Sequence, residues 1–249
     1  MRAEGRAAFI PYLTAGYPTP DRAVDAFRML EQAGADLIEV GVPFSDPLAD
    51  GVTIQRSTQA ALEQGMTVGQ VFAEIERAAL GVPTVIMTYL NPVLAYGVER
   101  FLADAAATGA SGVLLTDFPA GADPALEAQV AASPLALIRL IAPTTTTDRL
   151  GQAVRGARGF IYFISRLGVT GVREAVPADL AAQVTRIRGA TALPVAVGFG
   201  IATPGQAAQA ARLADGVVVG SALVEALGEG LSAAERLAKD LARAVRQAR

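Results

Sequence analysis

The feature that most constrains this chain is an alternation sustained from end to end. Short β-rich apolar runs are followed by amphipathic stretches of helical period, eight times over. The runs begin near Phe9, Asp36, Pro83, Gly112, Leu135, Gly159, Leu193 and Asp215. A strand separated from the next by a helix is brought back in the same direction, so the strands are parallel and the crossovers right-handed. A closed barrel and an open doubly wound sheet both accommodate eight such units. With 249 residues and no break in composition or linker, the pattern favours an α/β TIM (β/α)8 barrel, one domain over residues 1–249.

Helix punctuation supports the alternation. Thr19-Pro20 offers a cap followed by proline at the first helical position, Val24, Phe27 and Leu30 make one face, and Gly34 ends it. Thr67 with Gln70 and Thr203 with Gln206 have capping spacing. Ser232 with Glu235 is expected to open the last helix, with Leu237, Leu241 and Val245 on one face. Its Arg243, Arg246 and Arg249 lie towards the negative end of the helix dipole. Two connections, within residues 36–83 and 159–193, are longer than the rest, and extra chain of that kind is usually functional or disordered.

Composition narrows the chemistry. Hydrophobic residues make up 52% and charged residues 18%, enough apolar surface for a large core. A net charge of -3 argues against nucleic acid or an anionic membrane as the main partner, and no apolar run approaches the ~18 residues of a spanning helix. Met1 to Ala8 mixes charged and small residues without the apolar stretch of a secretory leader. Cysteine is absent, which removes disulfides and thiolate catalysis and fits a cytoplasmic protein. Histidine is absent too, which removes imidazole bases, Ser-His-Asp chemistry and His-ligated zinc. Acid–base work falls to carboxylates, tyrosine, lysine or water.

Against that background one carboxylate stands out. In Leu37-Ile38-Glu39-Val40-Gly41-Val42, the two-residue period puts Leu37, Glu39 and Gly41 on one face. If that face lines the barrel, Glu39 projects inward near the end where barrel active sites form, and burial raises its pKa. The alternatives are a structural ion pair or a wetted position at the mouth. The following Pro43 to Gly51 carries Asp46 and Asp50, either further carboxylates for the mouth or ordinary turn and cap residues.

A phosphate site is suggested by glycines after the last three strands: Gly168-Val169-Thr170-Gly171, Gly198-Phe199-Gly200 and Gly220-Ser221. Glycine lets backbone N–H groups approach an anion, and the loops after strands seven and eight commonly hold phosphate in barrels. Each glycine alone reads as a turn. Tyr162 alternates along its strand and either bonds a substrate or satisfies its hydroxyl in the core; Phe199 covers an aromatic ligand or packs.

Taken together, these segments resemble a known family. Leu37 to Gly51 closely resembles the signature of tryptophan synthase alpha subunits. Thr88-Tyr89-Leu90-Asn91-Pro92-Val93, Ser165 to Gly171, Val197 to Gly200 and Val219 to Ala222 follow in the family's order. The resemblance implies retro-aldol cleavage of indole-3-glycerol phosphate to indole and glyceraldehyde 3-phosphate, without metal or organic cofactor. It maps Glu39 onto the acid–base carboxylate, Asp50 onto the one paired with the indole N–H, and Tyr162 onto the active-site tyrosine. Gly171, Gly200, Gly220 and Ser221 fall on the phosphate cradle, Phe199 on an indole-packing residue, and Thr170 on a lid residue that contacts the catalytic loop. It also implies a beta-subunit partner, in an alpha2beta2 complex, that favours the closed lid over residues 166–176. Three features depart from the family. Only eight residues precede Phe9 where a helix is usual, Val52 replaces a common proline, and Ala120-Gly121 replaces an acidic pair.

Two rivals remain at this point. One is another phosphate-handling barrel lyase or isomerase. The other is a non-catalytic ligand-binding activator of a beta subunit, against which the retained Glu39 and Asp50 argue.

Overall fold

A computed structural model describes residues 4–164, 177–198 and 200–248. Eight strands close into a parallel barrel in sequence order: β1 (Ala8–Thr14), β2 (Ile38–Gly41), β3 (Thr84–Thr88), β4 (Gly112–Leu115), β5 (Ala136–Ile141), β6 (Ile161–Ile164), β7 (Val195–Gly198) and β8 (Gly216–Val219). β1 pairs with both β2 and β8, so the sheet has no edge, and the short segment before Phe9 does not prevent closure. Alternate residues fill the interior: Ile10, Val85, Leu114, Ile138, Phe160 and Val218 pack across the axis. The barrel is therefore a core and not a pore.

Helices cover the outside. α1 (Pro20–Ala33) is capped by Thr19, whose hydroxyl accepts from the Arg22 N–H, and ends at Gly34 with φ +105°. It buries Val24, Phe27 and Leu30, the face its spacing predicts. The long second connection contains two helices, α2 (Val52–Glu63) and α3 (Val68–Ala78), the latter opened by the Thr67–Gln70 capping box. Then follow α4 (Leu90–Tyr96), α5 (Val98–Ala107), α6 (Pro124–Ala132), α7 (Thr147–Ala153) and α8 (Leu180–Arg188). α9 (Pro204–Leu213) starts with the Thr203–Gln206 box, and α10 (Ser221–Glu229) and α11 (Leu231–Arg246) complete the chain.

The start of α11 differs from the sequence expectation. Its cap is Gly230, at φ +140°, and Ser232 already lies inside the first turn. The core-facing stripe is Ala234, Ala238, Leu241, Ala242 and Val245, with Leu237 half-buried at its margin. Alanine on this stripe lets α11 lie close against α9 and α10.

The strands' N-terminal ends are tied by carboxylates. Arg6 grips Asp36 through two hydrogen bonds of 2.8 and 2.9 Å, and Asp36 also accepts the Phe9 N–H at 2.9 Å. Asp215 accepts the Val195 N–H at 2.9 Å and pairs with Arg188. The C-terminal ends are left for loops.

Candidate active site

β2 carries Glu39 and Gly41 on its inward face, Leu37 packs on the barrel interior just before it, and Glu39 lies directly opposite Tyr12 of β1 in the parallel register. Glu39 is fully buried, and neither carboxyl oxygen has a hydrogen-bond partner among the described residues. Burial without a compensating donor pushes its pKa up to about 8. A structural ion pair is thereby excluded among the described residues, and so is a position wetted at the mouth.

Asp50 approaches from the loop after β2. Turns at Asp46–Leu48 and Pro47–Asp50 shape that loop, and the Gln55 amide donates to the Asp50 carbonyl at 2.8 Å. Tyr89, just beyond β3, holds it from the other side: its hydroxyl accepts the Ala49 N–H at 3.0 Å and bonds the Asp50 carboxylate. The Phe44 ring packs on Tyr89 with centroids 5.2 Å apart. Burial lifts the Asp50 pKa to about 6, against the pull of the Tyr89 hydrogen bond. Asp46 is different: it is exposed, accepts from the neighbouring Ser45 hydroxyl, and takes no part in the cavity.

Two tyrosines lie across glycines. A Cβ on Gly41 would stand 2.0 Å from the Tyr12 hydroxyl, and one on Gly198 would stand 2.2 Å from that of Tyr162. Gly198 therefore makes room for Tyr162. Both phenols are held well above the usual tyrosine range, first by burial and then by neighbouring carboxylates.

Glu39, Asp50, Tyr12 and Tyr162 line one cavity with Gly200, Gly220 and Ser221. Gly200 adopts φ +81°, which a side chain disfavours. Gly220 caps α10 without a side-chain hydrogen bond, so the first-turn N–H groups and the positive end of the helix dipole face this end of the cavity. Ile54, Met87 and Val218 supply apolar wall between the two ends. Thr170, Gly171 and Phe199, and the rest of the segment read as a lid, lie outside the described residues.

Tyr12 and Tyr89 were not singled out from the sequence. Tyr12 alternates with Ile10 on a strand whose inward face was predictable, and Tyr89 ends the third apolar run. Both signals were visible, but neither residue type at those places demands chemistry.

A barrel with such a mouth fits a lyase that works on an anionic substrate. The family model of the tryptophan synthase alpha chain matches residues 1–249. A tryptophan synthase alpha chain of Chloroflexus aggregans is 46% identical over 240 residues, covering 95% of this chain and 90% of the relative. One of Phenylobacterium zucineum is 46% identical over 260 residues, covering 100% and 94%. A structure of Mycobacterium tuberculosis tryptophan synthase superposes with a TM-score of 0.93 at 44% identity, covering 98% of this chain and 95% of that one. The tryptophan synthase alpha subunit of Legionella pneumophila gives 0.89 at 33% identity, covering 98% and 94%. The chain belongs to the tryptophan synthase alpha chain family, whose members cleave indole-3-glycerol phosphate in tryptophan biosynthesis and form complexes with a beta subunit.

Proposed function

We propose that Glu39 and Asp50 carry the cleavage, with Tyr162 orienting Glu39 and with Gly171, Gly200, Gly220 and Ser221 receiving the phosphate. The observation that carries this reading is the wholly buried Glu39 carboxyl, unpaired among the described residues, on the floor of a cavity whose other end is a helix N-terminus. A pKa near 8 leaves Glu39 protonated at neutral pH, ready to act as an acid. Indole is a poor carbanion leaving group. Protonation at its C3 by Glu39 makes the ring an electron sink, and ionised Asp50 stabilises the positive charge that develops at the ring nitrogen. The bond from C3 to the glycerol side chain then breaks, its electrons return to the ring, and the adjacent hydroxyl loses its proton as the aldehyde forms. Glu39, now ionised, takes that proton. One proton enters at C3 and one leaves the hydroxyl, so the carboxyl is restored.

The aromatic part of the substrate occupies the apolar wall; for Phe199 and Thr170, outside the described residues, the family resemblance supports an indole-packing and a lid role. We take residues 1–249 as one catalytic domain of a cytoplasmic alpha2beta2 complex. The exposed apolar side chains of Leu48, Val52 and Leu94, all on segments leaving the C-terminal ends of β2 and β3, support a protein partner beside the mouth. Among the described residues, no helix is long and apolar enough to cross a membrane.

The test is release of indole from indole-3-glycerol phosphate by the purified chain, with and without beta subunit. Glu39→Gln and Asp50→Asn are expected to lower turnover by ~100-fold or more with the fold retained. Near-normal turnover in either variant removes that residue from the mechanism. Ligand binding without any product by the wild-type chain supports the activator reading instead.

A further inference from the structure

Behind the cavity runs a buried chain of hydroxyl groups that the cleavage chemistry does not use. The Tyr12 hydroxyl lies 3.3 Å from Thr14 Oγ1, Thr14 Oγ1 lies 2.7 Å from Ser57 Oγ, and Ser57 donates to the Ile54 carbonyl at 2.8 Å. All three hydroxyl residues are buried. Each hydroxyl has one proton, and the carbonyl at the end has none. If Ser57 gives its proton to Ile54, it must accept from Thr14, and Thr14 must in turn accept from Tyr12. That direction makes three hydrogen bonds, whereas the reverse makes only two and leaves the Ile54 carbonyl without the Ser57 proton. Buried polar groups favour the arrangement that satisfies more of them.

A consequence follows at the other end of the relay. Tyr12 and Glu39 are register partners on β1 and β2, and both line the cavity with Asp50. We propose that Tyr12 is a positioning residue that keeps the site's acid protonated: its own proton is committed to the Thr14–Ser57–Ile54 relay, so its hydroxyl shows the carboxyl groups only a lone pair. A tyrosine free to donate would do the opposite, because a hydrogen bond to an ionised carboxylate stabilises that form. Among the described residues, the titratable groups around Glu39 are Tyr12 from β1, Tyr162 from β6 and Asp50 from the loop after β2, with Tyr89 bonded to Asp50. Among them Tyr12 is the one whose proton is drawn away by a relay anchored in α2.

The proposal rests on Glu39 acting as the acid, but its test does not depend on turnover. Carboxyl carbons of Glu39 and Asp50 are followed by 13C NMR across pH in the full chain, with Glu39→Gln and Asp50→Asn assigning the signals. Ser57→Ala removes the relay at a residue that does not line the cavity. Thr14 then has only Tyr12 to donate to, and the Tyr12 proton is released towards the carboxyl groups. The Glu39 midpoint is expected to fall by roughly one pH unit. Adding Tyr12→Phe to Ser57→Ala should abolish the fall, which a general loosening of α2 would not allow. Thr14→Val breaks the relay one step nearer and should reproduce the fall, which keeps the test open if Ser57→Ala does not fold. Unchanged midpoints in a folded relay variant would overturn the proposal. So would a rise on Tyr12→Phe alone, since it would show that Tyr12 already donates to a carboxylate. Loss of the Glu39 role appears separately, as turnover that survives Glu39→Gln.

Discussion

The Tyr89 hydroxyl donates to the Asp50 carboxylate while accepting the N–H of Ala49, so one side chain fixes both the backbone and the charge of the loop after β2. Tyr89→Phe removes both bonds and leaves the ring against Phe44 in place. Turnover is expected to fall roughly 10- to 100-fold, about 1.5–3 kcal/mol for a hydrogen bond to a charged group. The Asp50 pKa should rise, because the bond now favouring the ionised form is gone. The acid limb of the pH–rate profile therefore moves to higher pH. An acid limb that stays put, or moves down, would show that Tyr89 does not act through Asp50.

The wild-type profile itself has a defined shape. Asp50 must be ionised, which requires pH above about 6, and Glu39 must be protonated, which requires pH below about 8. kcat/KM is expected to be bell-shaped between those limits, with apparent values that belong to the interacting pair. Activity that climbs steadily to pH 9 would remove Glu39 as the acid.

Stability should also depend on Glu39. Its folded pKa, about 8, lies above the 4.5 of an unfolded glutamate. The neutral carboxyl is tolerated in the core, so its contribution is complete below the unfolded value and is lost as pH rises through the folded one. Chemical denaturation between pH 4.5 and 8.5 is expected to show roughly 2–4 kcal/mol of destabilisation that Glu39→Gln lacks. Parallel curves for the two proteins would mean that the carboxyl is not held neutral.

The anion end of the cavity predicts a separate loss. Ser221→Asp puts a carboxylate in the first turn of α10, where it repels phosphate and competes for the same N–H groups. Indole-propanol phosphate should bind at least ~10-fold more weakly, about 1.4 kcal/mol, while its dephosphorylated analogue is little affected. Equal weakening of both, measured by calorimetry, would place the phosphate elsewhere.

At the opposite end of the barrel, Asp36→Ala leaves Arg6 and the Phe9 N–H without their carboxylate. A loss of about 2–4 kcal/mol is expected for breaking a partly buried, multiply bonded charge. KM should be unchanged, since the site lies on loops at the other face. A matching change in KM would tie barrel closure to substrate binding.

The sequence by itself determined the eight strand–helix units and the residue types left to carry its chemistry. Eight strand–helix units, read from period and caps such as Thr67–Gln70, have few ways to bury their apolar faces, and a chain without histidine or cysteine leaves acid–base work to residues like Glu39. Those properties are local: they depend on spacing along the chain and on residue type. What only the tertiary structure decided is which groups meet across strands. Nothing in the sequence pairs Tyr12 with Glu39, lays Tyr162 over Gly198, or joins Thr14 to Ser57, because register and closure bring together residues far apart along the chain. The same holds for the start of α11, where Gly230 takes the cap and Ser232 falls within the first turn. Whether Glu39 is neutral or charged is likewise a property of its surroundings, since burial and the absence of a donor among the described residues set its pKa.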